Sequence, residues 1–377
     1  MIYLDNAATT PLDPEVLETM IEYMKTEYGN PSSKYYPQAE RAKQALKHAR
    51  SLVATLINAE EDDEIIFTSG ATEGNNMIIK GIADAYQHQG NHIITTCIEH
   101  KAVLEPCKYL ETKGFNVTYL SVDQKGRISL DKLEKAICED TILVSIMWGN
   151  NEIGTLQPID EISKVCRKHN VLFHTDATQV IGKVPVDVQE TNIDFLTCSA
   201  HKIYGPKGTG AIYMKNDEYG LKPEITPLLH GGSQEDHLRA GTYAMHNIVG
   251  FGKACEVAAR AMNTYVSQMK NEEKEFITKL TSALPEVIIN GDLDNKIPGI
   301  ISITIPGISN EILIKRLSDR YAVSSGSACG LGEPSHVLSH IKSFPSNTLR
   351  ISLAKKNANY SSQIVQDLHN VINLLRH

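Results

Sequence analysis

Thr141-Ile142-Leu143-Val144-Ser145-Ile146-Met147 is an unbroken β-branched and apolar run, and Val171-Leu172-Phe173-His174 is a second. Between them, residues 159–169 place apolar side chains three and four positions apart, the pattern of an amphipathic helix. A strand without apolar/polar alternation is buried on both faces, as in a parallel sheet covered by helices. The texture repeats outward in Glu64-Ile65-Ile66-Phe67-Thr68, His92-Ile93-Ile94-Thr95, Asn116-Val117-Thr118-Tyr119-Leu120 and Phe195-Leu196-Thr197, with residues 101–113 a further amphipathic segment. The alternation predicts parallel βαβ units: an α/β fold with a mostly parallel sheet flanked by helices. Ligands of such a sheet bind at the carboxyl ends of its strands. Beyond residue 250 a long helical pattern, 254–284, leads into short β-rich runs at Ile300-Ile301-Ser302-Ile303-Thr304-Ile305, Ala322-Val323-Ser324 and Leu349-Arg350-Ile351-Ser352. This reads as a smaller α+β C-terminal domain. The expected division is a large domain over 13–257 and a small one over 258–377. Residues 1–12, closed off by Pro11 and Pro14, fit against either body and are grouped with the small one.

The 377 residues include 37 Lys or Arg and 45 Asp or Glu, a net charge of −8. That balance excludes a basic nucleic-acid coat, so no direct nucleic-acid binding is expected. No run approaches the ~18 apolar residues of a membrane span. The opening Met1-Ile2-Tyr3-Leu4-Asp5 lacks the basic and apolar regions of a secretory leader, which makes the cytoplasm the expected compartment. Seven scattered cysteines form neither a disulfide framework nor a zinc ribbon. A buried hydrophobe is the default reading of each. Cys329 departs from it, because Ser324-Ser325-Gly326-Ser327-Ala328-Cys329 is a run of small residues that packs poorly and bends easily.

The unusual residues cluster where the runs end. Thr68-Ser69-Gly70-Ala71-Thr72-Glu73-Gly74 opens a helix, and free N–H groups there make either a phosphate cradle or an ordinary capped helix start. Ser199-Ala200-His201-Lys202 followed by Tyr204-Gly205-Pro206-Lys207-Gly208 suits an amine that forms a Schiff base with a cofactor aldehyde while its neighbours bind a phosphate. A Walker loop is excluded, because Lys207 is followed by Gly208 and then by the strand-like Ala211-Ile212-Tyr213-Met214 rather than a helix. His174-Thr175-Asp176-Ala177-Thr178-Gln179 ends a strand in a carboxylate, which would be a helix cap or the partner of a buried cation such as a pyridinium nitrogen. Asn150-Asn151 offers amides and His100 an imidazole able to stack on a planar ring.

Together, in this order, these segments resemble the NifS/IscS-type cysteine desulfurases, pyridoxal 5′-phosphate (PLP) enzymes of aminotransferase class V with fold type I. The resemblance spans almost the whole chain. It includes Tyr3-Leu4-Asp5-Asn6-Ala7-Ala8-Thr9-Thr10, Gly29-Asn30-Pro31-Ser32-Ser33, Glu99-His100-Lys101, His230-Gly231-Gly232, Arg239-Ala240-Gly241-Thr242 and the Cys329 segment. It implies that Lys202 forms the Schiff base, that Asp176 keeps the pyridine nitrogen protonated and that Gln179 contacts the phenolic oxygen. Ala71, Thr72, Ser199 and His201 would hold the phosphate, with Thr242 reaching it from the neighbouring subunit of a homodimer. His100 would stack on the ring and shuttle protons. Arg350 and Asn151, with Asn30, would hold the carboxylate of L-cysteine. Cys329 would take the substrate sulfur as a persulfide, release L-alanine and pass the sulfur to a protein acceptor or scaffold, for iron–sulfur cluster assembly, tRNA thiolation or DNA phosphorothioation. A selenocysteine lyase or an aminotransferase would share most of this set, though an aminotransferase needs no thiol. Two features depart from the family: Lys34-Tyr35-Tyr36-Pro37 stands where a His is common, and only Gly330-Leu331-Gly332 separates Cys329 from Glu333.

Overall fold

A computed structural model describes residues 1–326, 334–354 and 360–376. Cys329 and the short segment after it lie outside the described residues. In chain order the strands are β1 (Ile2–Tyr3), β2 (Ile65–Thr68), β3 (His92–Thr96), β4 (Asn116–Leu120), β5 (Thr141–Ser145), β6 (Leu172–Asp176), β7 (Phe195–Ser199), β8 (Gly210–Met214), β9 (Ile288–Asn290), β10 (Ile300–Thr304), β11 (Tyr321–Ala322) and β12 (Thr348–Ser352). Among the described residues, β2 to β8 form a seven-stranded sheet in the order β2-β8-β7-β6-β5-β3-β4. Every residue of β2, β3, β5, β7 and β8 is buried, the state that unbroken apolar runs require.

The sheet is parallel except at one strand, as the expected mostly parallel sheet allows. β8 runs antiparallel to both β7 and β2. Only residues 200–209 connect β7 to β8, and no α-helix lies among them. A parallel crossover needs a dozen or more residues, so this short connection turns straight back. That turn is the Lys202 loop. The order also reverses around β3: β4 lies on one side of it and β5 on the other, and this reversal opens a crevice at the carboxyl edge.

The second body is built on an antiparallel sheet, β12-β10-β9. Its core unites Ile301, Ile303, Leu349 and Ile351 with Leu313, Leu368 and Ile372 from the helices Asn310–Leu317 and Ser361–Arg376. Leu4 is buried in the same core, and β1 pairs in parallel with β11. The helix Met245–Ala283 runs through both bodies: Ile248, Phe251 and Ala254 pack in the large core, Met269, Phe276 and Leu280 in the smaller one. It begins nine residues before the expected start at Ala254. Gly250 and Gly252 read as helix weakeners, but a Cβ on Gly252 would stand 2.8 Å from Ala49 Cα. The glycine lets this helix lie directly against Pro37–Ile57. Among the described residues no helix is long and apolar enough to cross a membrane.

Candidate active site

A cavity of about 450 Å³ opens at the carboxyl edge of the large sheet. The ends of β2, β3, β5, β6 and β7 each deliver residues to it: Ala71 and Thr72, His100, Asn151, Asp176 and Gln179, and Ser199, His201 and Lys202. Arg350 enters from β12 of the second body. Two sequence candidates are not brought in. Asn30 accepts the Ser32 N–H at 2.9 Å within its own turn and does not line the cavity. Thr242 is exposed on the segment before the long helix and does not line the cavity of its own chain.

Lys202 ends a 3₁₀ turn that follows β7 directly. Its Nζ donates to the carbonyls of Ala7 at 2.7 Å and Ala8 at 2.6 Å. Residues 7–9 are therefore part of the site wall. Thr10 N–H donates to His201 O at 2.9 Å, and His201 Nδ1 lies 3.1 Å from Thr9 Oγ1. The second-body packing of Leu4 thus ends where the chain crosses to the lysine. Burial, reinforced by Lys202, Lys207 and Lys183, pushes His201 down to about 4. Its ring is neutral at pH 7.

The helix Ala71–Tyr86 starts at Gly70, whose φ of +151° favours glycine, and no side chain caps it. Its first residues, Ala71 and Thr72, line the cavity together with Ser199, and the free N–H groups of a helix start are open to an anion. Glu73 sets a negative charge beside that position. Arg239 meets it through Nε at 2.7 Å, and the Ser69 N–H donates to it at 2.7 Å.

Asp176, at the end of β6, accepts from Asn75 Nδ2 at 2.7 Å and from the Thr178 N–H at 3.0 Å. Both of these donors are neutral amides, and Asp176 itself lines the cavity. Asn75, fully buried on the Ala71–Tyr86 helix and also bonded to the Thr197 hydroxyl, was not among the sequence candidates. The available signal was its place one helical turn after Thr72, which puts the two on one face. Ala7, Ala8 and His336, which also line the cavity, were missed as well.

His100 caps the helix Lys101–Glu111: its Nδ1 accepts the Ala102 N–H at 3.1 Å. That contact places the hydrogen of the neutral ring on Nε2. Burial is the main cause that lowers its pKa. Below it, the wholly buried Glu99 accepts from Thr96 Oγ1 at 2.7 Å and the Met147 N–H at 3.0 Å; burial raises its pKa to about 8.

The Arg350 guanidinium has almost no exposed surface. Its Nη2 pairs with Asp5 at 2.7 Å, and Nη1 donates to Asn151 O at 2.9 Å and Gly326 O at 2.8 Å. Among the described residues Nε is buried without an acceptor. Arg350 also lines the cavity, and a guanidinium at a cavity wall is a partner for a carboxylate.

The donor set fits pyridoxal 5′-phosphate. An amine, a carboxylate held by neutral donors and an uncapped helix start surround one cavity, and each answers a different part of that molecule. Among the described residues no His, Cys, Asp and Glu cluster suits a metal ion.

The chain is 44% identical to the cysteine desulfurase IscS of Dictyoglomus turgidum over 375 residues, 97% of this chain and 93% of that protein. Among solved structures, a NifS-like protein superposes with a TM-score of 0.90 at 36% identity, covering 99% of each chain. The protein SspA in complex with cysteine gives 0.81 at 38% identity, over 94% of this chain and 99% of that one. With residues 2–364 matching aminotransferase class-V, on a fold whose strand ends gather the residues of a PLP site, this chain belongs to the class V aminotransferase family of PLP-dependent enzymes.

Proposed function

We propose that this chain is a PLP-dependent cysteine desulfurase that converts L-cysteine to L-alanine and passes the sulfur to Cys329. The observation that carries the reading is the convergence of Lys202, Asp176 and Arg350 on one cavity, in a chain akin to IscS and to a structure named as a complex with cysteine. Bound PLP supplies an electron sink, which makes the sulfur of cysteine open to a thiolate. Lys202, whose Nζ donates to the Ala7 and Ala8 carbonyls, is the amine that would hold the cofactor. Asp176 holds a proton on the ring nitrogen. Ala71, Thr72, Ser199 and His201 hold the phosphate, and Gln179 donates to the phenolic oxygen. His100 offers Nε2–H as a proton donor above the ring. Arg350 and Asn151 bind the substrate carboxylate.

Cys329 is the acceptor, and a protein partner takes the sulfur onward. The active protein is a homodimer in which Thr242 of each chain completes the partner's phosphate site. Residues 13–257 and 258–377 are its two domains, with 1–12 grouped with the second. Borohydride reduction of the PLP-loaded protein followed by peptide mapping tests the reading, together with assay of alanine and sulfide from L-cysteine. The label is expected on Lys202. A label on Lys207, or none, overturns it.

A further inference from the structure

Lys183 is buried, and none of the roles above uses it. It lies on the turn after β6, four residues beyond Gln179, a separation that brings side chains together on a helical turn. Its Nζ donates to Gln179 Oε1 at 3.0 Å, and Gln179 Nε2 donates to the Ala7 carbonyl at 2.8 Å. The same carbonyl accepts from Lys202 Nζ at 2.7 Å. Three hydrogen bonds thus connect the buried lysine to the lysine at the cavity.

A glutamine amide can sit either way round, and its neighbours decide. An amine with a buried acceptor donates, and a backbone carbonyl only accepts. Gln179 therefore turns Oε1 to Lys183 and Nε2 to Ala7. Nε2 carries two hydrogens. Ala7 takes one, and the second is left for the cavity that Gln179 lines. We propose that Lys183 is a positioning residue that commits the Gln179 amide to present its donor side to the phenolic oxygen of the bound cofactor. The proposal rests on the PLP reading of the site.

The setting of Lys183 argues against a merely structural amine. Burial first, then the positive charges of Lys202 and Arg350, pull it down to about 7, and no carboxylate among the described residues opposes them. An amine buried without an acid is costly, and an apolar side chain of the same length would fill the space at less cost. What the amine adds is a donor for Gln179 Oε1, which holds the amide in the orientation that the Ala7 carbonyl also requires.

The test is a pH titration of the visible absorbance of the PLP-loaded protein. A donor on the phenolic oxygen satisfies the negative charge that otherwise helps retain the proton on the adjacent lysine nitrogen. Lys183→Met is expected to raise the titration midpoint by about one pH unit, the scale of one hydrogen bond to a charged oxygen. Lys183→Gln keeps a donor for Oε1 and is expected to leave the midpoint near that of the parent. In a Gln179→Leu background, Lys183→Met is expected to add no further shift. An unmoved midpoint in Lys183→Met overturns the proposal. So does a Lys183→Gln shift as large as that of Lys183→Met, or a full shift in the Gln179→Leu background, since either would make the charge itself the cause. If Lys183→Met does not fold, Lys183→Leu takes its place: it also removes the donor to Gln179 Oε1 and must raise the midpoint by a similar amount, and an unmoved midpoint in it overturns the proposal. A parent protein with no visible band that borohydride fixes to Lys202 would instead remove the PLP reading.

Discussion

Replacing Arg350 by Ala tests the site and the packing together. In the structure the guanidinium holds Asp5 at 2.7 Å and donates to two backbone carbonyls, Asn151 O and Gly326 O. Deleting one member of a buried ion pair costs about 3–5 kcal/mol. The Asp5 side chain keeps 21% of its surface in water, so the lower end, about 3 kcal/mol, applies here. Loss of a charge-assisted contact to the substrate carboxylate adds a separate term in binding, also about 3 kcal/mol, or on the order of 100-fold in KM. The assay is therefore double: steady-state KM for L-cysteine with the cofactor absorbance as a control, and thermal unfolding of the same preparation. Asp5→Asn keeps an acceptor but removes the charge, and its coupling with Arg350→Ala in a double-mutant cycle isolates the ion pair. The expected result is a strongly raised KM, an unchanged cofactor spectrum and a lowered Tm, with most of the Tm loss shared with Asp5→Asn. A folded Arg350→Ala protein with parental KM refutes the substrate role. A KM rise that Asp5→Asn reproduces in full shows that Arg350 acts by holding residues 5–10 in place.

Cys329→Ser is expected to load PLP and bind L-cysteine, with the spectral change intact, but to release no sulfide; sulfide at the parental rate would move the nucleophile to another cysteine. For the shared site, Thr242→Glu and Lys202→Ala are each expected to be inactive as homodimers, while subunit exchange between them restores up to one good site in two. Absence of recovery in proven heterodimers would falsify the exchange of Thr242 between chains. The pH dependence of the cofactor-free protein follows from His201. Its folded pKa, about 4, lies below the ordinary 6.5, so the unfolded chain binds the proton first. Stability is expected to be full above about pH 6.5 and to fall as the pH drops toward 4, and melts at pH 7 and 5 on the parent and His201→Asn check it: the variant's difference must be smaller.

What the sequence by itself determined was local. The apolar runs at 141–147 and 171–174 and the helix between them fix a covered parallel sheet, because burial on both faces leaves no room for polar alternation. Residues at the ends of such runs are positioned by the strand itself. Asp176, Ser199, Lys202 and His100 were therefore legible as site residues from their places in the string. The tertiary structure decided everything that joins distant segments. Arg350 meets Asp5 across 345 residues and Lys202 meets Ala7 across 195, and no spacing rule reaches that far. Asn75 behind Asp176, Lys183 behind Gln179 and the reversal of β8 emerge only once the elements are packed. The helix start at Met245 was hidden by glycines, one of which, Gly252, stands where a Cβ would come within 2.8 Å of Ala49 Cα. Local periodicity records which face of an element is buried. Which polar groups find each other in the buried space depends on the sum of all the packing, and that is a property of the folded chain alone.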